Sequence, residues 1–179
     1  MTDVASNRAA TKWSTKAQIG RLLWAICNPL FRCSPRPFWG WRRMLLRAFG
    51  AKVGADAHIY PTVRITIPWN LDIADGCAIG DRAILYALGP IRIGPRATVS
   101  QFAHLCAGTH DWRDPSMPLI KATIIVGADA WVCADAFIGP GVTIGDHAIV
   151  GARAVAVKNV EPSEIVAGNP AQVIKTRGQ

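Results

Sequence analysis

The stretch Val126–Val160 reads VGADAWVCADAFIGPGVTIGDHAIVGARAVAVKNV, and an aliphatic or small residue returns in it at every sixth position: Val126, Val132, Ile138, Ile144, Val150 and Ala156. Two residues before each of the last five stands a short side chain: Ala130, Ala136, Val142, Ala148 and Ala154. A period of six matches neither the 3.6-residue turn of a helix nor the simple alternation of a strand. It matches a coil of flat faces and sharp corners, each face presenting one large and one small side chain inward, with Gly or Asp helping to turn the corner. Three faces per turn make a triangular parallel β-solenoid whose coils stack about 4.8 Å apart. A β-sandwich of short strands does not account for six positions in unbroken register.

The same rule runs upstream in shifted frames, as Val53, Ile59, Ile65 and Leu71, then Ile73, Ile79, Leu85 and Ile91, then Ile93, Val99 and Leu105. The hexapeptides amount to about five coils. The two-residue slips at Leu71/Ile73 and Ile91/Ile93 predict bulges at corners. The segment Ala107–Ala122, AGTHDWRDPSMPLIKA, breaks the pattern with a histidine, mixed charges and two prolines, and so is expected to project as a loop (107–122).

The first 50 residues differ in kind. They hold nine Lys/Arg against one acid, Asp3, so the whole +8 net charge of the 179-residue chain lies there, while residues 51–179 are balanced. A body without a basic face is not built for nucleic acid. Four of the seven tryptophans (Trp13, Trp24, Trp39, Trp41) also fall here, in two apolar segments, Ile19–Phe31 and Phe38–Phe49, parted by Pro35-Arg36-Pro37. Two readings stand: a helical cap over the open end of the solenoid, and a membrane-interface segment for which Arg beside Trp and Phe is suited. The expected organisation is thus 1–50 cap or interface segment, 51–161 solenoid, and 162–179 tail. No stretch approaches the roughly 18–20 apolar residues of a membrane span. The five cysteines, odd in number and without a CxxC pair, fit a reducing cytoplasm, and no secretory signal is visible.

The repeat VGADAWVCADAFIGPGVTIGDHAIVGARAVAVKNV, the loop LCAGTHDW and the tail VAGNPAQVIKTR together resemble the hexapeptide-repeat acyltransferases, nearest to the colanic-acid-biosynthesis type of acetyltransferase. That resemblance implies a left-handed parallel β-helix, a homotrimer with active sites between neighbouring prisms, and acetyl-coenzyme A as co-substrate, with no metal required. The implied reaction is transfer of acetyl to a sugar hydroxyl in bacterial surface-polysaccharide synthesis. The family's catalytic histidine maps onto His110. An imidazole, ordinarily titrating near pH 6.5, is suited to take a hydroxyl proton at neutral pH. Its orienting partner is left open between Asp111, Asp114 and a backbone carbonyl. By the same resemblance Trp131, Ala134, Ala152, Lys158 and Lys175 line the cofactor. Lys158 and Lys175 are also among the few cations late in the chain, which suits phosphate. Tyr86, Asp111, Trp112 and Arg113 are the candidate acceptor contacts. Two rivals remain: a zinc carbonic-anhydrase-like member of the same fold, for which a third histidine near His104 and His110 is missing, and a non-catalytic membrane-associated scaffold. A cysteine nucleophile at Cys106 or Cys133 is disfavoured, because small thiols are ordinary packing residues.

Overall fold

The computed structural model describes residues 4–178. Three helices lead in: α1 (Val4–Ala9), α2 (Thr15–Arg32) and α3 (Trp39–Ala48). Short strands then alternate with turns and wind a three-faced prism. The first face carries five strands from Lys52–Val53 to Thr143–Ile144, and the third carries five from Arg64–Ile65 to Val155–Ala156. The second face has seven. It starts at His58–Ile59, runs on past the last hexapeptide to Glu164–Ala167, and is edged by the antiparallel strand Gln172–Thr176.

Inward residues stack like on like from coil to coil. Val53, Ile73, Ile93, Val126 and Ile144 form one ladder, and Ile65, Leu85, Leu105, Ile138 and Ala156 another. The short residues two positions earlier, such as Ala83, Ala103, Ala136 and Ala154, are fully buried too, so each coil contributes its large and small side chains to one core. Each fully buried Val, Ile or Leu contributes about 1.5–3 kcal/mol.

The frame slips turn out to be something other than corner bulges. Leu71–Ile73, Ile91–Ile93 and Ile124–Val126 are three-residue strands with both ends facing inward, so Leu71, Ile91 and Ile124 form an extra buried ladder. The lengthening recurs at the same corner, between the third and first faces. Pairing is therefore unbroken, and the slip is a property of the coil rather than a defect in it.

The corners hold a second departure. Arg82, Arg96, Phe102, Asp129, Asp135, His147 and Arg153 all have φ near +60°, where Gly was the simpler choice. Left-handed backbone costs an ordinary residue about 1–2 kcal/mol. Here the N–H of the strained residue reaches the neighbouring coil, as in Arg96 N to Asp75 O at 2.9 Å and Arg153 N to Ala134 O at 3.0 Å. Coil stacking offsets the strain.

The helices close the open end of the prism. Ser14 caps α2 by accepting from Ala17 N, and the helix passes through Pro29 without ending. Its inner face buries Trp24 and Phe31, and Trp24 Nε1 donates to Ile65 O at 2.8 Å. Gly20 lies so close to the Trp69 ring that a Cβ would meet it at 2.9 Å. From α3, Arg42 is fully buried without a carboxylate partner. Its guanidinium donates to Ile59 O (2.6 Å), Ser34 Oγ (2.9 Å), Pro35 O (2.8 Å) and Arg36 O (2.5 Å). Burial lowers its pKa from the ordinary arginine value. Arg43 donates to Ala57 O and Arg47 to Val53 O, while Arg36 pairs with Asp81 at 2.9 Å. Much of the N-terminal charge thus fastens the helices to the first coil.

Candidate active site

The segment between the third-face strand His104–Cys106 and the first-face strand Ile124–Val126 leaves the prism as a hairpin, with Gly108–His110 paired antiparallel to Leu119–Lys121. Its two legs straddle Gly89, where a Cβ would meet Ala122 O at 2.6 Å and Ala107 O at 2.8 Å. Only glycine lets the hairpin root that closely. The hairpin tip is knitted by its own aspartates. Asp111 Oδ1 accepts from Arg113 N, and Asp114 Oδ1 accepts from Ser116 N and Oγ, which holds the Asp114 carboxyl below the usual carboxylate range.

His110 ends the outgoing strand with its ring exposed. Its Nδ1 faces the Met117 carbonyl at 2.6 Å. A carbonyl can only accept, so Nδ1 carries the proton and Nε2 presents a lone pair outward. The orienting group is the backbone carbonyl. Asp111 and Asp114 are occupied by the turn, so neither plays that part.

The other candidates fall on two separate edges of the prism. On the hairpin's edge Tyr86 is paired with Cys106 at the hairpin root, and Lys158 follows the last third-face strand, exposed. Trp112 is 74% exposed at the tip, with the Arg113 guanidinium over its ring at 4.9 Å. Trp131 lies on the second face instead, its Nε1 donating to Ser100 Oγ at 2.8 Å. Ala134 and Ala152 occupy the corner after that face, and Lys175 lies exposed on the strand that edges it. Within one chain, His110 and the Trp131 group are therefore not brought together.

The four histidines have four neighbourhoods. His58 packs against Trp39, His147 lies 3.9 Å from Asp129, and His104 stands edge-on between Tyr86 and Phe137 with its Nε2 unpaired. Burial lowers the His104 pKa. Among the described residues no group of three or more His, Cys, Asp or Glu side chains is placed to hold a metal ion. Burial also raises the Cys133 thiol above its ordinary value, and Cys106 Sγ donates to Gly108 O at 3.3 Å.

One contact leaves no mark in the sequence. The N-terminal arm, formed by α1 and the residues that follow it, reaches the hairpin: from α1, Asn7 Nδ2 donates to Ser116 O at 2.7 Å and also to Met117 O, the carbonyl that orients His110. Lys12 Nζ reaches Asn7 Oδ1 at 2.6 Å, while Lys121 donates to Lys12 O and sits 3.8 Å over the Trp13 ring. A cavity of about 300 Å3 lies between arm and hairpin.

A family model described as bacterial transferase hexapeptide (six repeats) matches residues 123–156. The fold is shared with a maltose O-acetyltransferase from Clostridium difficile 630, at TM-score 0.85 and 20% identity over 100% of this chain and 99% of that one. It is shared equally with the hexapeptide-repeat acetyltransferase VCA0836 from Vibrio cholerae O1 biovar eltor, solved with acetyl-coenzyme A, at TM-score 0.85 and 21% identity over 94% and 93%. The chain belongs to the hexapeptide-repeat acetyltransferases, a class of acetyl-coenzyme A-dependent enzymes built on a left-handed parallel β-helix. Within that class it is 41% identical over 157 residues to the putative colanic acid biosynthesis acetyltransferase WcaF of Escherichia coli (strain K12), covering 88% of this chain and 86% of WcaF. Membership of an acetyltransferase family sets aside the non-catalytic scaffold.

Proposed function

We propose that this enzyme transfers acetyl to a sugar hydroxyl of a surface-polysaccharide precursor, with His110 as general base. The observation that carries the reading is the Nδ1–Met117 bond, which leaves His110 Nε2 free to accept a proton. As the acceptor oxygen attacks the thioester carbonyl carbon, Nε2 takes the hydroxyl proton. The tetrahedral intermediate then collapses, the C–S bond breaks, and the proton passes to the departing thiolate. The 41% identity to WcaF supports a polysaccharide precursor as acceptor. Trp112, Arg113, Tyr86 and Asp111 are the acceptor contacts in this reading, which is supported by their place on the hairpin that carries His110 or at its root.

The working unit is a homotrimer. Two features support it: His110 and Lys158 lie on a different edge of the prism from Trp131, Ala134 and Ala152, so a complete site needs a second copy. In addition, the outward column of the third face runs from the exposed Arg64 to Ile84, His104, Phe137 and Val155, the last four half-buried and mostly apolar. Acetyl-coenzyme A would then lie between prisms, against Trp131, Ala134 and Ala152, with Lys158 and Lys175 toward its phosphates. The enzyme works in the cytoplasm, in peripheral contact with an anionic membrane surface. Incubation with radiolabelled acetyl-coenzyme A and lipid-linked or nucleotide-linked sugars tests the reaction. Label in a base-labile ester on the sugar is expected, whereas acetyl-coenzyme A hydrolysis alone with every sugar overturns it.

A further inference from the structure

The most unusual surface of the molecule is the outer side of α2. Ile19, Leu22, Leu23, Ile26 and Leu30 recur at three- and four-residue spacing, share one face of the helix, and are 50–65% exposed. The opposite face of the same helix is already filled by Trp24 and Phe31. An 18-residue helix that is apolar on both sides has one side without a partner. Phe38 and Met44, both about half exposed, continue the apolar surface onto α3. Between Leu30, Phe38 and Trp41 lies an apolar groove of about 500 Å3.

The charge around this surface selects its occupant. Residues 4–50 contain nine Lys/Arg and no acid. Arg36, Arg42, Arg43 and Arg47 are engaged with the first coil or Asp81, but Lys16 and Arg32, near the two ends of α2, are exposed to solvent. A second copy of the same surface would bring cations against cations with no carboxylate to balance them. An anionic lipid headgroup layer supplies both the negative charge and the apolar phase beneath it. Among the described residues no helix is long and apolar enough to cross a membrane, so α2 would lie in the interface plane.

We propose that the outer face of α2 is a docking surface for an anionic phospholipid bilayer, with Leu22, Leu23, Ile26 and Leu30 entering the headgroup–acyl boundary and Lys16 and Arg32 meeting lipid phosphates. This locates the peripheral contact of the preceding reading on α2 rather than on the arginines of α3. It does not depend on the chemistry at His110.

Co-sedimentation of the full chain with vesicles tests it, comparing one quarter phosphatidylglycerol in phosphatidylcholine with phosphatidylcholine alone. The wild type is expected to pellet with the anionic vesicles at low salt and only weakly with the neutral ones. Leu22→Glu with Ile26→Glu should lower the partition coefficient at least about tenfold while leaving acetyl-coenzyme A binding unchanged. Leu22→Ser with Ile26→Ser gives the same direction with a smaller perturbation of the helix. Lys16→Gln with Arg32→Gln should lower binding a few-fold and flatten its salt dependence. Wild-type protein that stays in the supernatant overturns the proposal. So does a Glu pair that pellets as wild type, or one that splits an oligomer without changing lipid binding, which would mean a second copy covers this face. His110→Ala that still pellets keeps docking and catalysis separable: loss of acetyl transfer leaves this proposal standing, and loss of lipid binding leaves the transferase reading standing.

Discussion

His110 Nδ1 and the Met117 carbonyl oxygen are 2.6 Å apart across the mouth of one hairpin, and that contact decides which imidazole nitrogen is free. The strand pairing His110↔Leu119 brings Met117, two residues before Leu119, within reach of the ring, and Met117 itself adopts φ +45°. A backbone carbonyl can only accept, so the contact fixes the orientation of the ring and directs Nε2 outward.

His110→Ala should therefore lower kcat by about 10²–10⁴, the usual contribution of a positioned base. Acetyl-coenzyme A binding, read by calorimetry, should persist. Cys133→Ala and Cys106→Ala should keep most of the turnover. An acetyl-cysteine trapped by mass spectrometry would contradict direct transfer.

Asn7 shares the Met117 carbonyl with His110, which makes the arm a positioning element for the hairpin. Asn7→Ala should reduce kcat roughly three- to tenfold with KM for acetyl-coenzyme A little changed. Asn7→Asp should be worse than Ala, since a carboxylate cannot donate and would face the Ser116 and Met117 oxygens. Equal kinetics for the two variants would show that the arm does not reach the site in solution.

The coenzyme prediction concerns the two lysines. Lys158→Ala and Lys175→Ala should each raise KM for acetyl-coenzyme A by about three- to tenfold. For the lysine that reads the terminal phosphate, the same substitution should matter less with dephospho-acetyl-coenzyme A. Identical effects on both donors would place both lysines away from that phosphate.

The six-residue ladder was legible because its inward positions are close together in the chain, and stacking only repeats them. The hairpin was legible as a break in that rule. Met117 as the orienting group was not, because any carbonyl looks alike in a sequence and only the register His110↔Leu119 selects one. The Asn7 contact spans more than a hundred residues and leaves no local pattern. Arg42 was misleading for a different reason. A cation in a basic, aromatic segment reads as surface charge, yet its partners are uncharged oxygens from the chain around it, which composition cannot register. The frame slips at Leu71 and Ile91 look like local faults because the residues that stack on each other there lie 20 apart in sequence.

His104 gives the fold a pH dependence. Its ring is half-buried between Tyr86 and Phe137, and desolvation holds its pKa below the ordinary imidazole value. A depressed folded-state value means that the neutral form is the one the fold accepts. Its contribution is then complete above about pH 6.5, the unfolded value, and is lost as pH falls through the lower folded value. The melting temperature should drop more between pH 7.5 and 5 in the wild type than in His104→Phe. Parallel curves for the two proteins would mean that another group governs the acid limb.

Arg42 is where one substitution should cost the cap most. Its guanidinium donates to three carbonyl oxygens and one hydroxyl, on segments from Ser34 to Ile59, and stacks 4.7 Å from the Trp39 ring. Arg42→Met keeps much of the volume but leaves those buried acceptors unpaired, at a cost of about 3–5 kcal/mol. For a chain of this size that corresponds to a fall in Tm of roughly 10 °C. Arg42→Lys retains the charge yet cannot reproduce the planar fork, and so should recover only part of the loss. Calorimetry with circular dichroism resolves the two, and β-signal that outlasts helical signal on heating would locate the weakness in the cap. A Lys variant as stable as wild type would mean that charge, not the geometry of the fork, is what holds α3 to the first coil.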